Sequence, residues 1–334
     1  MASDDTEILQ QLPAGDAPSD SPGKATHITG TFKKPDFASV EGTDIPGPQN
    51  DADVSTATYN FVAMLATDLS AKQLALPSWP EVVVKTKIAL VDEGSSEMML
   101  TRLVGSEPVL AAGLLRAANA ERPADTDQAC DLLTAVESLG FKRARGLAIS
   151  LATTQIGNSQ AISPVKAYVA DLWQHSNQVA AIANIVAKKY TTINPDEARL
   201  AGLLHEIGKL YVLTRAQTEP ALCDCETTLQ EVMHAWHTSI GAAILESWEF
   251  PESFVAAVRD HELCDIEGNR SPNLTDVVLV ANLLANQQKA EPRHQVDLDK
   301  LPACRRLKLH AGISDEIIRV SEIEIRALHQ AIGI

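Results

Sequence analysis

The sequence predicts an all-α protein. Hydrophobic residues make up 45% of the 334-residue chain, whereas aromatic residues make up only 4%. A chain rich in alanine and leucine and poor in aromatic rings favours closely packed helices over a β-sandwich. Residues 82–84 are the best strand candidate, but this run is short and lies within a helical pattern. These observations together predict a multi-helical bundle.

The two ends of the chain differ in composition from its middle. Residues 1–54 are acidic, rich in Asp, Ser, Thr, Pro and Gly, and poor in large apolar residues. Such a segment buries too little apolar surface to fold by itself, so we predict a disordered or loosely held tail. Residues 291–334 are predicted to form a C-terminal extension that ends in an amphipathic helix over residues 314–332.

Residues 55–160 are predicted to form the N-terminal helical part of the fold. Apolar residues recur there at helical spacing in five short stretches. Gly140 is predicted to end the fourth of these helices, because glycine at C′ adopts a left-handed conformation at little cost. The five predicted helices cover residues 82–91, 95–104, 108–118, 127–139 and 141–153.

Residues 161–290 are predicted to form a second helical part that carries the candidate site. Ser163 and Pro164 predict the start of one helix, and Asn194 followed by Pro195 predicts another. Asparagine is a favoured N-cap, and proline suits the first helical position. Apolar residues then follow at i, i+3, i+4 and i+7 along one face of that helix: Leu200, Leu203, Leu204 and Ile207.

His205 and Glu206 lie within this apolar helical pattern, and a helical wheel places them with Lys209 opposite its apolar face. A buried imidazole beside a carboxylate needs a partner, and a divalent metal ion or an anionic ligand would supply one. The alternative is a partly exposed helix with a Glu206–Lys209 ion pair. Ala198 and Gly202 share this side, and small residues there predict that another helix, or a site, comes close.

Histidines are concentrated in the same part of the chain. Five of the nine lie between residues 175 and 261. Imidazole and carboxylate groups are ligand types that suit Mn, Fe, Zn or Ni. The spacing differs from that of a zinc finger, and no CxxC pair supports one. The five histidines are His175, His205, His234, His237 and His261.

Net charge and the absence of targeting signals limit the classes of partner. The formal net charge of −16 disfavours a general nucleic-acid-binding surface. The acidic N-terminus lacks the apolar stretch of a signal peptide, and no apolar run is long enough to span a bilayer. We therefore expect a cytoplasmic protein with reduced thiols and with neither nucleic-acid nor membrane partners.

Five segments occur in an order that resembles a known family. They are residues 76–80, 106–119, 135–140, 201–209 and 237–251. The first is similar to a Leu-Pro-x-x-Pro motif, and the fourth is similar to Gly-Leu-Leu-His-Asp-Ile-Gly-Lys. Together they resemble the HDOD (HD-related output domain) family of bacterial signalling proteins, over roughly residues 70–285.

The resemblance implies a fold and a set of metal ligands. The fold is all-helical, with an N-terminal helical part packed on a part related to HD-domain metal-dependent phosphohydrolases. The HD enzymes use a His…His-Asp…Asp ligand set. By this resemblance, the ligands are His175 as the first, His205 and Glu206 as the central pair, and Asp276 as the last.

Further histidines and two departures from the pattern bear on activity. His237 and His261 fall where two-metal relatives of the HD-GYP type place additional histidines, so they are possible ligands of a second ion. Glu206 stands where the family has Asp, and its side chain is one methylene longer. The Gly-Tyr-Pro signature of cyclic-di-GMP hydrolases is absent after His261.

The resemblance favours a stand-alone regulatory protein of signal transduction. Such a module binds a signalling protein or a nucleotide-type ligand, and its HD-type site is degenerate. The site residues then form a buried polar network, from histidine to carboxylate to lysine, that holds the helices together.

The alternative is a metal-dependent phosphohydrolase, acting as a phosphodiesterase or nucleotide phosphatase. The four ligands would hold Mn, Fe, Ni, Zn or Mg, and the ion would activate water and polarise a phosphoryl oxygen. Lys209 would offset phosphate charge, while His237 and His261 would act as acid and base or bind a second ion.

Overall fold

The computed structural model describes residues 76–92, 94–123, 126–158, 165–216, 226–268, 270–287 and 297–332, together with Met64, Thr67 and Asp68. All described residues belong to one compact unit of the chain, Pro46–Ile334. The predicted N-terminal tail and the predicted boundaries at 160 and 290 lie outside the described residues.

The described residues contain helices and no strand, which confirms the predicted fold class. None of these helices is both long and apolar enough to cross a lipid bilayer. A short 3₁₀ helix covers Leu298–Lys300. The α-helices are α1 (Pro80–Val91), α2 (Glu97–Val104), α3 (Pro108–Ala120), α4 (Leu132–Leu139), α5 (Phe141–Asn158), α6 (Lys166–Tyr190), α7 (Pro195–Leu204), α8 (Ile207–Ala216), α9 (Glu226–Ser247), α10 (Glu252–Asp260), α11 (Leu274–Gln287), α12 (Pro302–Leu307) and α13 (Ala311–Ile332).

Side-chain caps set where several of the N-terminal helices begin. The side chains of Ser96, Glu107 and Asp131 accept hydrogen bonds from backbone N–H groups in the first turns of α2, α3 and α4. Helix α4 was predicted to begin at residue 127, but the Asp131 cap places its start at Leu132. Gly140 follows α4 with φ of 78°, as the sequence predicted.

Helix α6 is the long central helix of the bundle. Its apolar stripe is buried, and it contacts α7, α11 and α13. A Cβ atom on Gly202 of α7 would lie 3.0 Å from the Cα of Ala180 on α6. This close approach confirms the prediction that a helix passes beside Gly202. Helix α7 also begins as predicted, because the side chain of Asn194 accepts a hydrogen bond from the N–H of Asp196.

The C-terminal helices pack back onto this centre. Helix α13 lies against α6 through a 2.9 Å ion pair between Lys189 and Glu316 and a stacked ring contact between Trp173 and His329. It begins at Ala311, slightly earlier than the predicted helix over 314–332. The C-terminal extension is therefore part of the helical packing that surrounds α6.

Candidate metal centre

The His205–Glu206 pair lies in a turn between two helices. Helix α7 ends at Leu204 and α8 begins at Ile207, so the prediction of one continuous helix was wrong. The Nδ1 atom of His205 lies 2.7 Å from the carbonyl oxygen of Gly202. This side-chain donor competes for a carbonyl that a continuing helix would use. The side chains of His205 and Glu206 are 0% and 3% exposed, so both point into the protein.

Ligand atoms from five residues converge around this turn. They form two groups, and within each group the atoms lie within 4.8 Å of one another. His175 comes from α6, His237 comes from α9, and His261 directly follows α10. Glu206 belongs to both groups. The groups are His175, His205 and Glu206, and Glu206, His237 and His261.

Gly208 allows α9 to approach the turn. A Cβ atom at Gly208 would overlap the backbone carbonyl oxygen of His237. On the other side of the contact, a Cβ on Gly241 would lie 2.7 Å from Cγ1 of Val258. The glycine of the His-Glu-Ile-Gly-Lys run therefore has a packing role, because only a residue without a side chain lets His237 come close to Glu206.

Backbone carbonyls orient three of the imidazole rings. The Nδ1 atoms of His205, His237 and His261 lie 2.7, 2.8 and 2.7 Å from carbonyl oxygens of Gly202, Met233 and Val258. A carbonyl only accepts, so each neutral ring carries its proton on Nδ1 and keeps a lone pair on Nε2. The same arrangement orients histidines that bind metals through Nε2.

Burial and a lysine set the charges of the site. The Nζ atom of Lys209 lies 2.6 and 2.5 Å from the two carboxylate oxygens of Glu206. Burial by itself would raise the pKa of Glu206, but Lys209 and the nearby histidines outweigh it and hold that pKa well below its usual range. Burial lowers the pKa of His205 strongly and that of His261 to about 4. These imidazoles are therefore neutral at pH 7, which is the state that binds a metal.

The residues present fit a divalent metal ion. The Nε2 atom of His205 is buried and has no hydrogen-bond partner within the described part of the chain. A buried acceptor without a partner costs about 1–3 kcal/mol, and a bound cation would remove that cost. Imidazole nitrogens with a carboxylate suit Mn, Fe, Ni or Zn. The predicted Glu206–Lys209 ion pair is present as well, although Glu206 is buried rather than partly exposed.

Asp276, the predicted last ligand, does not lie in either group of converging ligand atoms. Its two oxygens lie 2.6 Å from guanidinium nitrogens of Arg270 and Arg306. Partial burial tends to raise the pKa of Asp276, but hydrogen bonds from Arg306 and Arg270 have the larger effect. The pKa of Asp276 is therefore below its usual value, and the carboxylate stays ionised. Asn282 of α11 contacts the site directly, because its Oδ1 lies 3.0 Å from Nε2 of His175.

Asn282 and Glu262 are site residues that the sequence reasoning missed. The Oε1 atom of Glu262 lies 3.4 Å from Nε2 of His237. Burial tends to raise the pKa of Glu262, but the contact with His237 and nearby positive charge lower it to about 2. A signal for Asn282 did exist, because it is a lone amide within the apolar run 277–285. Glu262 directly follows His261.

An open cavity of about 470 Å³ gives access to the cluster. Its walls include His175, Glu206, Lys209 and Glu262, together with His234 at an exposed position. The buried ligand atoms therefore face a space that a small molecule can enter. His234 lies in the cavity wall and belongs to neither ligand group.

Comparison with known proteins identifies the domain. The family model described as HDOD domain matches residues 76–263 of the chain. This match contains the two groups of converging ligand atoms and Lys209, whereas Asp276 and Asn282 lie beyond its end.

Individual relatives share the fold at low sequence identity. The MmoQ response regulator from Methylococcus capsulatus superposes with a TM-score of 0.59 and 20% identity, covering 73% of this chain and 98% of its own. A Shewanella amazonensis protein, provisionally described as a metal-dependent phosphohydrolase, has a TM-score of 0.49 and 23% identity, with 82% and 99% covered. An uncharacterized protein from Treponema pallidum is 23% identical over 255 residues, which are 71% of this chain. The chain spans about half (46%) of the length of that relative. At such identities the likeness to MmoQ shows a common fold.

Proposed function

The chain belongs to the HDOD domain family, and from that premise we propose that it is a regulatory module of signal transduction that binds a protein or a nucleotide-type ligand. Its His/Glu cluster holds a divalent metal ion without the ligand set of an HD hydrolase. The observation that carries this proposal lies on α11. Asp276 is held by Arg270 and Arg306, while Asn282 offers only a neutral amide to His175.

The charges around Glu206 support a regulatory role. A hydrolytic metal ion needs open positions, and it lowers the pKa of bound water and polarises a phosphoryl oxygen. In this chain, Glu206 already pairs with Lys209, and a metal ion must compete with that ammonium group. Because Lys209 partly neutralises Glu206, the negative charge around His175 and His205 is smaller than it would be without the lysine. This favours metal binding and structural coupling over turnover.

Metal analysis combined with an activity screen tests this proposal. We expect the purified protein to contain about one divalent ion or more per chain, and His205→Ala to lose metal because it removes the orphaned Nε2 ligand. The exposed His310→Ala is the matched control and should keep the wild-type content. A phosphatase and phosphodiesterase screen with added Mn²⁺ should be blank.

Two results would contradict the proposal. If the wild-type protein stays metal-free after purification and reconstitution, the cluster is a buried polar network and not a metal centre. If the protein shows turnover that His205→Ala abolishes and His310→Ala preserves, it is a hydrolase and the regulatory proposal is wrong.

A metal-dependent phosphohydrolase is the second candidate function. The cavity of about 470 Å³ beside the cluster favours it, because Lys209 lies in the cavity wall where it could meet a phosphate. His237 and His261 would then transfer protons or hold a second ion. Turnover in the Mn²⁺ screen, lost on chelation and restored by added metal, is the outcome that this candidate requires.

A further inference from the structure

We propose that a cleft lined by helices α2, α4, α6, α7 and α13 is the partner-binding site of this chain, and that it binds an amphipathic helix with basic side chains. The inference rests on the proposed regulatory function, and it names the class of protein partner and the surface that binds it. The cleft has a volume of about 740 Å³, and its lining residues all differ from those of the cavity beside the His/Glu cluster. The partner and the metal ion therefore bind at separate places.

Large apolar side chains form much of the lining of this cleft. Met98 of α2 is 81% exposed and Leu133 of α4 is 45% exposed, although both side chains are apolar. They share the cleft with other apolar residues, so they belong to one apolar surface and are not scattered singly. A flexible methionine also adapts to the shape of a partner. The large apolar lining residues are Met98, Leu133, Leu200, Leu203, Ile325 and Leu328.

The charged side chains of the cleft favour a basic partner. Arg199 of α7 and Glu324 of α13 form a 2.7 Å ion pair and so neutralise each other. The lining therefore keeps a net negative charge, which attracts lysine and arginine and repels an anionic ligand such as a nucleotide. The remaining charged residues of the lining are three acids and one base: Glu97, Glu137, Asp196 and Arg102.

The secondary structure around the cleft favours a helix as the bound element. The described residues contain no strand, so the cleft has no sheet edge to which an extended peptide could add. A helix satisfies its own backbone hydrogen bonds and can insert apolar side chains at i, i+4 and i+7 between the cleft walls. Basic residues beside that apolar stripe would then meet Glu97, Glu137 and Asp196.

Peptide binding to the full-length chain tests this inference. The probe is a fluorescent peptide of about eighteen residues, about five helical turns, with leucines at i, i+4 and i+7 and lysines on its other faces. The same peptide with glutamates in place of the lysines is the control probe. Fluorescence anisotropy should show that the wild type binds the lysine peptide and does not bind the glutamate peptide.

Two pairs of variants locate the binding to the cleft. Met98→Ser and Glu137→Lys change residues of the lining, whereas Ile88→Ser and Glu246→Lys change exposed residues of the same types outside it. We expect each cleft variant to weaken binding of the lysine peptide at least about tenfold, and each control to bind as the wild type does. Thermal melting confirms that all four variants are folded.

Hydrogen exchange gives a second readout. A saturating amount of the lysine peptide should slow amide exchange in α2, α4 and α13 and leave exchange in α9 and α10 unchanged. Equal loss of affinity in Glu137→Lys and Glu246→Lys would show a general attraction to the acidic chain, and the inference would then be wrong.

Three other results would overturn the inference. They are failure of the lysine peptide to bind, a wild-type dimer that Met98→Ser dissociates in sedimentation, and binding of the uncharged dye Nile red that the peptide does not displace. The second would assign the cleft to another copy of this chain, and the third to a small apolar molecule. The regulatory function would remain, because metal analysis and the activity screen test it separately.

Discussion

His205 places one nitrogen at hydrogen-bond distance from Gly202 and directs the other toward a group of histidines. The ring centroids of His175 and His261 lie 5.2 and 5.0 Å from that of His205, and His237 follows at 5.3 Å from His261. Such an i, i−3 contact can occur in any helical turn. Burial gives it a chemical consequence here, because the second nitrogen is withdrawn from water.

Glu107 is a second residue whose behaviour depends on burial. It caps α3 and is fully buried, and burial raises its pKa to about 7 despite the hydrogen bond that its carboxylate accepts from the N–H of Leu110. Between pH 4.5 and 7 the folded chain therefore holds a proton that the unfolded chain has released. The associated stability is fully present below pH 4.5 and is lost as the pH rises through about 7.

We expect Glu107→Gln to remove this pH dependence, because a neutral amide can still cap α3. A shift from 4.5 to about 7 spans about 2.5 units, which corresponds to about 3 kcal/mol. Urea unfolding of the wild type and of Glu107→Gln at several pH values between 4.5 and 8 gives the difference between their unfolding free energies. This difference should change with pH by the amount given above. A difference that stays constant with pH would contradict the prediction.

At the scale of elements, the contact between α8 and α9 positions His237. The backbone of Gly208 lies against the backbone of His237, and Gly241 faces Val258 across the next contact. The two helices therefore meet with no side chain between them at this point. A small outward movement of α9 would carry His237 away from Glu206.

Gly208→Ala should separate these helices. The added methyl group overlaps the carbonyl oxygen of His237, so we expect a loss of about 2–3 kcal/mol in unfolding free energy together with weaker metal binding. Gly146→Ala is the control: its Cβ would have no neighbour within 4 Å, and alanine favours helix α5 by about 1 kcal/mol. Chemical unfolding and zinc titration measure both effects. Unchanged stability of Gly208→Ala would show that the helices can adjust.

At the scale of the whole molecule, Asp276 joins the C-terminal extension to the bundle. Arg306 of α12 donates to Asp276 of α11 and to the carbonyl oxygen of Ile266. Arg270 approaches the same carboxylate from the preceding loop. The residue that the resemblance assigned to metal binding thus joins α11 and the loop before it to α12, which lies thirty residues further along the chain.

Asp276→Asn should lower stability and leave metal content unchanged. The ion pair with Arg306 is buried, so removing the charge of one partner should cost about 3 kcal/mol in unfolding free energy. Elemental analysis and urea unfolding, with His205→Ala in parallel, separate the two effects. If a folded Asp276→Asn protein loses its metal, Asp276 is a metal ligand after all.

The helical fold and most of the cluster could be predicted from the amino-acid sequence. Periodicity and caps, such as Asn194 and Ser96, depend on neighbouring residues, so they can be read locally. The resemblance to the family motifs implied that His175, His205 and Glu206 would meet. The break between α7 and α8 was missed, because the contact of His205 with Gly202 has no signature in the apolar pattern.

Which carboxylates reach the site depends on how the helices pack against one another. Asp276 and Asn282 are both polar residues of α11, and the rotation of that helix places Asn282 beside His175. Arg306, thirty residues further along the chain, holds Asp276 elsewhere. Glu262 reaches His237 because α9 and α10 pack together. Such choices follow from contacts between residues far apart in sequence, and no local pattern records them.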